Sequence, residues 1–314
     1  MHLLVTGAAG FIGSHFVLRH VEQCPQDTVV VLDKLTYAAD KHFLDPAEKR
    51  ITFVKGDIAD QKLVTKLVEK NKIDTIVNFA AESHVDNSIK DISPFLKTNV
   101  LGVQSLVEVA KAHPDMLLLH VSTDEVYGDQ SDADPACVPT SPLKPSNPYA
   151  ASKAAGDLLV LAAVRTYGLR ARITRCTNNY GPHQADEKFL PTIIRHALKN
   201  ESIPVYGQGK QKRDWLFVTD HTDAIETVLA KGMDGQVYLI SANGERSNLH
   251  TAHAVLDHLG KPRSLVSFVT DRPGHDWRYA LDSANTRALG WVPQVTWEEG
   301  VRQTVEWYRR RYGT

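Results

Sequence analysis

Apolar runs of strand length alternate with segments of helical length along the first half of the chain. Segments 60–70 and 94–112 have the length and the apolar spacing of helices. Five runs are apolar on both faces, as buried strands are: 2–6, 29–32, 51–54, 75–79 and 116–121. Strands joined by helical crossovers predict a parallel sheet covered on two sides. The predicted fold class is therefore α/β, a doubly wound parallel sheet.

The alternation loosens after about residue 177, where prolines and glycines break the chain into short pieces. The breaking residues are Pro182, Pro191, Pro204, Gly207 and Gly209. This predicts a sheet domain over residues 1–177 and a smaller C-terminal lobe over residues 178–314. A strand and a helix around 215–240 are expected to return to the large sheet.

Composition excludes several classes of protein. The 314 residues hold 36 basic and 37 acidic side chains, with a net charge of −1 and 42% hydrophobic residues. A chain without a basic excess is not expected to bind nucleic acid, and this hydrophobic content excludes disorder. Apolar runs such as 158–164 fall short of the roughly 20 residues that span a bilayer, and no signal segment opens the chain. Three separated cysteines indicate neither disulfides nor structural zinc, so we expect a soluble, cytoplasmic protein without a metal.

A glycine-rich turn follows the first predicted strand and opens a helix. Gly7, Gly10 and Gly13 have the spacing that lets a pyrophosphate approach the backbone at a helix N-terminus. Asp33 ends the second predicted strand 20 residues after Gly13, where a carboxylate accepts hydrogen bonds from an adenosine ribose and repels a 2′-phosphate. These features predict NAD binding in preference to NADP. The alternative is a glycine turn that serves packing alone.

Tyr149 and Lys153 are four residues apart and would lie on one face of a helix. Lowering the pKa of a phenol from about 10 to about 7 takes roughly 4 kcal/mol, and a nearby ammonium and a positive nicotinamide ring are plausible sources. The pair is therefore a candidate base for alcohol oxidation. The alternative is a chance pair on the surface.

Two adjacent acids lie at the end of the fifth predicted strand. Asp124 and Glu125 follow Thr123 at the carboxyl end of a parallel strand, where ligands bind in this architecture. Two such carboxyl groups serve as an acid and a base if their environments separate their pKa values. The alternative is a solvated acidic loop.

The motifs together resemble the extended short-chain dehydrogenase/reductase family, which has the Rossmann fold, and within it the dTDP-glucose 4,6-dehydratases. The similarity extends from the first strand to beyond Asp276. It rests on the motifs Gly7-x-x-Gly10-x-x-Gly13, Asp33 to Ala38, Ala81 to Asp86, Thr98 to Val100, Ser122 to Gly128, Tyr149-x-x-x-Lys153, Arg175 to Pro182, Arg213 to Trp215 and Asp271 to Asp276. The glycine and Tyr-Lys motifs mark the superfamily, and Thr-Asp-Glu before Val-Tyr-Gly marks the dehydratases.

The resemblance implies a lyase that oxidises the sugar at C4, eliminates water across C5 and C6, and returns the hydride to C6. Tyr149 would take the proton of the 4-hydroxyl, with Thr123 bonded to the same oxygen and Lys153 holding the phenolate and the ribose. Glu125 would be the base at C5, and Asp124 the acid for the 6-hydroxyl. NAD would stay bound and be regenerated at each turnover, and the product would be dTDP-4-keto-6-deoxyglucose.

Three sets of residues follow from the resemblance, with residues 1–177 as the NAD-binding domain and 178–314 mainly as the nucleotide-sugar lobe. The catalytic set is Thr123, Asp124, Glu125, Tyr149 and Lys153. The cofactor-binding set is Gly7, Gly10, Phe11, Ile12, Gly13, Asp33, Lys34, Thr36, Asp57, Ile58, Ala80, Ala81, Ser83, Thr98, Tyr149, Lys153 and Asn179. The substrate-binding set is His84, Thr123, Asp124, Glu125, Asn178, Glu187, Lys188, Pro204, Tyr206, Arg213, Asn248, Arg272 and His275. In it, Arg213 and Arg272 would face the diphosphate and Tyr206 the base.

Alternatives to this function are a nucleotide-sugar 4-epimerase, a 4,6-dehydratase for another nucleotide sugar, and a non-catalytic NAD-binding regulator. An epimerase shares the cradle and the Tyr-Lys pair but needs no acidic couple, and a regulator tends to lose a catalytic group. For partners, the helical segments 94–112 and 147–167 carry apolar residues on more than one face, and the family pairs these helices between subunits. We therefore expect a homodimer.

Overall fold

The computed structural model describes residues 1–313; Thr314, the last residue of the predicted second lobe, lies outside the described residues. The strands are β1 (His2–Thr6), β2 (Thr28–Asp33), β3 (Ile51–Lys55), β4 (Thr75–Asn78), β5 (Leu117–Thr123), β6 (Ala171–Cys176), β7 (Asn178–Tyr180), β8 (Ile203–Tyr206), β9 (Lys212–Phe217), β10 (Val237–Ile240), β11 (Glu245–Ser247) and β12 (Val266–Val269). The α-helices are α1 (Phe11–Gln23), α2 (Gln61–Asn71), α3 (Val85–Lys90), α4 (Ser93–Phe95), α5 (Val103–Lys111), α6 (Pro148–Tyr167), α7 (Phe189–Lys199), α8 (Val218–Lys231), α9 (Asn248–Leu259), α10 (Ala284–Arg287) and α11 (Trp297–Tyr312). A π-helical segment (Leu96–Gly102) and 3₁₀ segments (Lys41–Arg50, Asp124–Tyr127 and Arg263–Leu265) complete the described elements.

Seven parallel strands form the central sheet, in the order β10-β6-β5-β4-β1-β2-β3. All five predicted strands are present, and their ends differ from the predicted ends by at most two residues. The order reverses at β1, which pairs with β2 on one side and with β4 on the other. Such a switch point opens a crevice at the carboxyl ends of the strands. The predicted α/β, doubly wound fold class is confirmed.

Side chains of each central strand enter two separate cores, one on each face of the sheet. On β1, Leu4 packs into the core that contains Leu118 and the helices α2, α5 and α6. Its neighbour Leu3 packs into the core that contains Phe16 of α1 and Ile225 of α8. Because successive side chains of a strand point to opposite faces, a run that is apolar throughout requires cover on both.

The predicted helix over 94–112 is a continuous helical stretch with a wide turn in its middle. α4 leads into the π-helical segment and then into α5, and the backbone remains in the right-handed helical region at both junctions. The wide turn buries Thr98 and Asn99, and Asn99 exchanges hydrogen bonds of 3.0 Å with the backbone of Glu82. Asn99 thereby holds the segment after β4 at the edge of the crevice.

The second part of the chain contains a three-stranded sheet, β11-β9-β7, and a parallel pair, β12-β8. The helices α7, α9 and α11 enclose a third core with these strands. Between them the chain returns to the large sheet, where α8 packs against α1 and β10 pairs with β6. Assignment of the two parts to cofactor and nucleotide sugar stays a prediction. Among residues 1–313, no helix combines the length and the apolar character needed to cross a membrane.

Candidate active site

The turn between β1 and α1 is built so that only glycine fits at its key positions. Gly7 has φ +69°, and a Cβ there would lie 2.5 Å from the backbone nitrogen of Ala80. A Cβ on Gly13 would lie 2.6 Å from the carbonyl oxygen of Gly7. No side chain caps the start of α1 at Gly10, so the first N–H groups of the helix remain available to an anion. This turn fits the pyrophosphate of a dinucleotide.

Asp33 is fixed at the end of β2, beside this turn. Its carboxylate accepts backbone hydrogen bonds from Ala9 at 2.9 Å and from Leu35 at 2.7 Å. Burial raises the pKa of Asp33, and the two backbone hydrogen bonds partly oppose that rise. Further along the crevice, Asp57 forms an ion pair with Lys34 at 2.9 Å. Asp33 thus presents an oriented acceptor where the ribose of an adenosine would lie.

One cavity unites the predicted cofactor and catalytic residues. Its volume is about 300 Å³, at the lower end of the ~300–1,000 Å³ of a typical small-molecule site, and it is partly open to solvent. Every member of the predicted cofactor-binding set and of the predicted catalytic set lines it. Asn178 and Lys188 of the predicted substrate set line it too. Residues outside the three predicted sets also contribute, among them Phe79, Glu82, Cys176 and Gln184.

Asp124 lies at the tip of β5 with one oxygen engaged and the other free. Thr123 Oγ1 donates to Asp124 Oδ1 at 3.0 Å, whereas Oδ2 is buried and has no hydrogen-bond partner among the described residues. Burial, and then the neighbouring Glu125 carboxylate, hold the pKa of Asp124 well above its ordinary value. The tight turn that follows ends at Gly128, where a Cβ would lie 1.9 Å from the carbonyl oxygen of Lys144. Asp124 is therefore a candidate proton donor.

Glu125 extends from the same turn into a more polar environment. Its Oε2 accepts from Asn147 Nδ2 at 3.2 Å and lies 3.5 Å from Tyr279 Oη, whose hydroxyl donates to Asp276. Sequence reasoning missed both of these neighbours. Asn147 precedes Pro148 at the start of α6, and this pair is a helix N-cap signal that the sequence shows. The contact between Asn147 and Glu125 has no such signal in the sequence. The two adjacent acids thus have different surroundings, as an acid and base couple requires.

Tyr149 and Lys153 lie one turn apart on α6, and both are buried. Burial, followed by the Glu125 carboxylate, holds the pKa of Tyr149 well above its ordinary value. Lys153 Nζ donates to the carbonyl of Val121 at 2.7 Å, and burial lowers the pKa of this ammonium. The sequence analysis expected a lowered phenol pKa. In this cavity that requires positive charge beyond what Lys153 supplies.

The remaining substrate candidates lie in the second part of the chain or at its contact with the sheet. Arg213 is buried, its guanidinium donates to the carbonyl of Asp276 at 2.8 Å, and it lies 4.2 Å from the ring centroid of Tyr279. Tyr206 and Arg272 both contact Asp86 at 3.3 Å. His275 forms a hydrogen bond with Asp271, and Lys188 donates one to the carbonyl of Ser83.

The other candidates lie at the ends of elements or on the surface. His84 caps the N-terminus of α3, and Asn248 is the first residue of α9. Pro204 lies in β8 and Glu187 is exposed. Their roles as substrate ligands stay predictions.

A group of possible metal ligands lies away from this cavity. His20, Cys24 and Asp27 bring three donor atoms within 4.8 Å of one another. Both ring nitrogens of His20 already have carboxylate partners, Glu226 at 2.8 Å and Asp27 at 3.2 Å. These contacts account for the cluster as an ion network that joins α1 to α8.

Comparison with known proteins gives consistent matches over the whole chain. A family model described as GDP-mannose 4,6 dehydratase matches residues 4–304. The dTDP-glucose 4,6-dehydratase of Xanthomonas campestris pv. campestris is 49% identical over 97% of this chain and 92% of its own length. The dTDP-glucose 4,6-dehydratase of Mycobacterium tuberculosis is 47% identical over 98% of this chain and 93% of its own.

Solved structures show the same relationship. DesIV of Streptomyces venezuelae, a dTDP-glucose 4,6-dehydratase solved with NAD and TDP bound, matches with a TM-score of 0.95 at 46% identity over 100% of this chain and 98% of its own. The UDP-glucose 4-epimerase of Thermus thermophilus, solved with NAD, has a TM-score of 0.91 at 28% identity over 98% of this chain and 99% of its own. A chain with these neighbours is an extended short-chain dehydrogenase/reductase. Since relatives at 42–49% identity over nearly the full length share one name, the chain belongs to the dTDP-glucose 4,6-dehydratase family.

Proposed function

We propose that this chain is an NAD-dependent lyase that converts dTDP-glucose to dTDP-4-keto-6-deoxyglucose. The observation that carries the proposal is the buried, unpartnered Asp124 Oδ2 beside Glu125, in the cavity that also contains Tyr149 and the glycine turn. Removing water across two carbon atoms needs a base for one carbon and an acid for the group leaving the other. The names of the relatives identify the same reaction.

NAD is the proposed cofactor, and the residues of the cavity fit it. The glycine turn accommodates the pyrophosphate, and Asp33 offers acceptors to the adenosine ribose. When bound, NAD would supply a positive charge and a reversible hydride acceptor for the oxidation at C4 and the reduction at C6. Neighbouring dehydratases and the epimerase are solved with NAD.

The proposed roles of the catalytic set come from the family resemblance, and the shared cavity of these residues supports them. Tyr149 takes the proton of the sugar 4-hydroxyl, and Thr123 donates to the same oxygen. Once C4 is a ketone, the C5 proton is acidic and Glu125 removes it. Asp124, whose raised pKa keeps a proton available, protonates the 6-hydroxyl as it leaves as water. Lys153 keeps a positive charge beneath the phenol.

The deciding experiment is mass spectrometry of the product formed from dTDP-glucose in deuterated water. We expect the product to have lost water and to carry deuterium at C5, and the purified protein to contain NAD. A product that retains its 6-hydroxyl would identify a 4-epimerase, the second enzyme to which the fold is similar. An NAD-loaded protein without turnover on any nucleotide-linked glucose would identify a non-catalytic regulator. Preferential turnover of a UDP-, CDP- or GDP-sugar would support the same dehydration reaction but a different nucleotide base in the substrate.

We propose in addition that the protein is a homodimer in the cytoplasm. Leu101 and Leu158 are 54% and 55% exposed on neighbouring helical segments, the π-helical segment and α6, which pack against each other. Leu96 adds to this exposed apolar surface. A second copy presenting the same two helices would cover it with a symmetric four-helix contact, as in the family. The cytoplasmic location is supported by three cysteines that carry free thiols.

A further inference from the structure

Asp86 joins the two parts of the chain through two residues of the predicted substrate-binding set. It lies in the first turn of α3, whose Val85 packs with Tyr149 and Phe95. One carboxylate oxygen accepts from the phenol hydroxyl of Tyr206 at 3.3 Å, and the other from Arg272 Nη1 at 3.3 Å. Tyr206 is at the end of β8, and Arg272 follows β12. Asp86 therefore links α3 of the first part of the chain to two residues of the second part.

The Arg272 guanidinium is oriented by this contact but is not saturated by it. Its Nε is buried and has no hydrogen-bond partner within residues 1–313. The distance of 3.3 Å to Asp86 is long for a charge-assisted hydrogen bond, which is usually about 2.7–2.9 Å. An arginine with free donors and a loose ion pair can still bind a diphosphate, whose oxygens suit the planar fork.

The Tyr206 ring is held on two sides. Its hydroxyl is bonded to Asp86, and its ring lies edge-on to His275 at 5.9 Å between centroids. His275 is in turn bonded to Asp271, which also accepts from Gln211 at 2.7 Å. Burial, then the Asp86 carboxylate, raises the pKa of Tyr206, so its hydroxyl keeps the proton that it donates. Tyr206 as a whole is 39% exposed, so it remains accessible to a nucleotide base.

The groups around Asp86 carry mixed charge. Lys188 and Arg272 are cations near Asp86, whereas Glu187 and Asp271 are anions. Burial and Lys188 lower the pKa of His84, so this side chain adds no positive charge at neutral pH. Lys188 and Arg272 therefore supply the positive charge available to a diphosphate here.

We infer that Asp86 is a positioning residue for the nucleoside diphosphate part of the substrate: it holds Arg272 for the diphosphate and Tyr206 for the base before the substrate enters. The inference rests on the proposed function, because Tyr206 and Arg272 are substrate ligands only if a nucleotide sugar binds there. Asp86 does not line the cavity that contains Tyr149 and Glu125. Its removal should therefore weaken binding and leave the chemical steps intact.

The test compares Asp86→Ala and Asp86→Asn in the NAD-loaded protein. For Asp86→Ala we expect the Kd for dTDP alone and the KM for dTDP-glucose to rise about tenfold, equivalent to about 1.4 kcal/mol. We expect kcat and NAD content to stay at the wild-type level. Asp86→Asn should lie nearer to wild type, since its amide oxygen still accepts from Tyr206. Asp257→Asn, which breaks an exposed ion pair with Arg263, is the matched control and should change none of these values.

A double-mutant cycle with Tyr206→Phe isolates the contact itself. If Asp86 acts through Tyr206, the two substitutions together should cost less than the product of their separate effects on the Kd for dTDP. An unchanged or lower Kd for dTDP in Asp86→Ala would overturn the inference. So would fully additive effects of the two substitutions on this Kd, accompanied by a loss of kcat and of bound NAD. A wild-type protein that binds dTDP but does not turn over dTDP-glucose would count against the proposed function instead, and the Kd comparison would still decide the role of Asp86.

Discussion

Asn147 donates its side-chain N–H to the Glu125 carboxylate at 3.2 Å, while its side-chain oxygen accepts the backbone N–H of Ala150 at 2.9 Å. One residue therefore orients the candidate C5 base and caps the helix that carries Tyr149 and Lys153. The two roles use different atoms of the same amide, so substitutions can separate them.

Asn147→Asp should keep the cap and lose the contact with Glu125, because aspartate caps helices as well as asparagine but brings a second negative charge. We expect a large loss of kcat with little change in thermal stability. Asn147→Ala should also lose the cap and cost about 0.5–2 kcal/mol of unfolding free energy. Steady-state kinetics and chemical denaturation of both variants separate the effects. Equal activity of Asn147→Asp and wild type would show that the Glu125 contact is unimportant.

Glu125→Gln should separate oxidation from elimination. The amide preserves the size and the contact with Tyr279 but cannot remove the C5 proton. We expect C4 oxidation to proceed, so that NADH absorbance accumulates on mixing with dTDP-glucose, while release of the dehydrated product slows by orders of magnitude. Rapid-mixing absorbance and product mass spectrometry measure the two steps. Wild-type turnover in this variant would exclude Glu125 as the base.

Asp124→Asn should stabilise the fold at neutral pH while it abolishes efficient elimination. The pKa of Asp124 is held well above 3.8 by burial, so the folded state keeps a proton that the unfolded state loses. This group's contribution to stability is complete below pH 3.8 and is lost as the pH rises towards the folded pKa. Asparagine does not titrate, so the stability of Asp124→Asn relative to wild type should increase from acid to neutral pH. Denaturation of both proteins across this pH range, at matched NAD occupancy, measures the difference in their free energies of unfolding. A difference that does not change with pH would contradict the raised pKa of Asp124.

Arg175→Met should destabilise the fold strongly. Arg175 Nε donates to Asp157 Oδ2 at 2.8 Å in the interior, next to His120, and Nη1 donates to Tyr127 at 2.7 Å. Removing one partner of a buried ion pair costs about 3–5 kcal/mol because the other charge stays buried. Adding Asp157→Asn should recover part of that loss. Denaturation midpoints measure the loss of stability. The control is Arg263→Met, which removes an exposed ion pair with Asp257. Similar midpoints for the two arginine variants would contradict the prediction.

The fold was predictable where a single strand or turn carries its own signal. Leu3 and Leu4 are consecutive apolar residues, which indicates cover on both faces whatever the rest of the fold. Gly7 and Asp33 are likewise informative because the turn and the strand end define their positions locally. Both line the cavity, together with the rest of the cofactor set, which the family resemblance supplied.

Contacts between distant segments were not predictable in the same way. Tyr279 reaches Glu125 across 154 residues, and Tyr206 reaches Asp86 across 120. No local pattern encodes such pairs, because they depend on how the second part of the chain packs against the sheet. Similarly, the spacing of Tyr149 and Lys153 placed both residues on one helix face. The hydrogen bond from the Lys153 ammonium to the Val121 carbonyl depends on the packing of α6 on β5, which the spacing does not encode.

The proposed dimer can be tested on its exposed leucines. Leu101→Arg together with Leu158→Arg places like charges on the surface that two copies would share, so a dimer should dissociate into folded monomers. Light scattering after size-exclusion chromatography measures the mass, and NAD content reports whether the fold is intact. Met233→Arg, at a position that is 67% exposed beyond α8, is the matched control and should remain dimeric. A monomeric wild-type protein, or a double variant that remains dimeric, would contradict this interface, because neither outcome is compatible with helices that pair through Leu101 and Leu158.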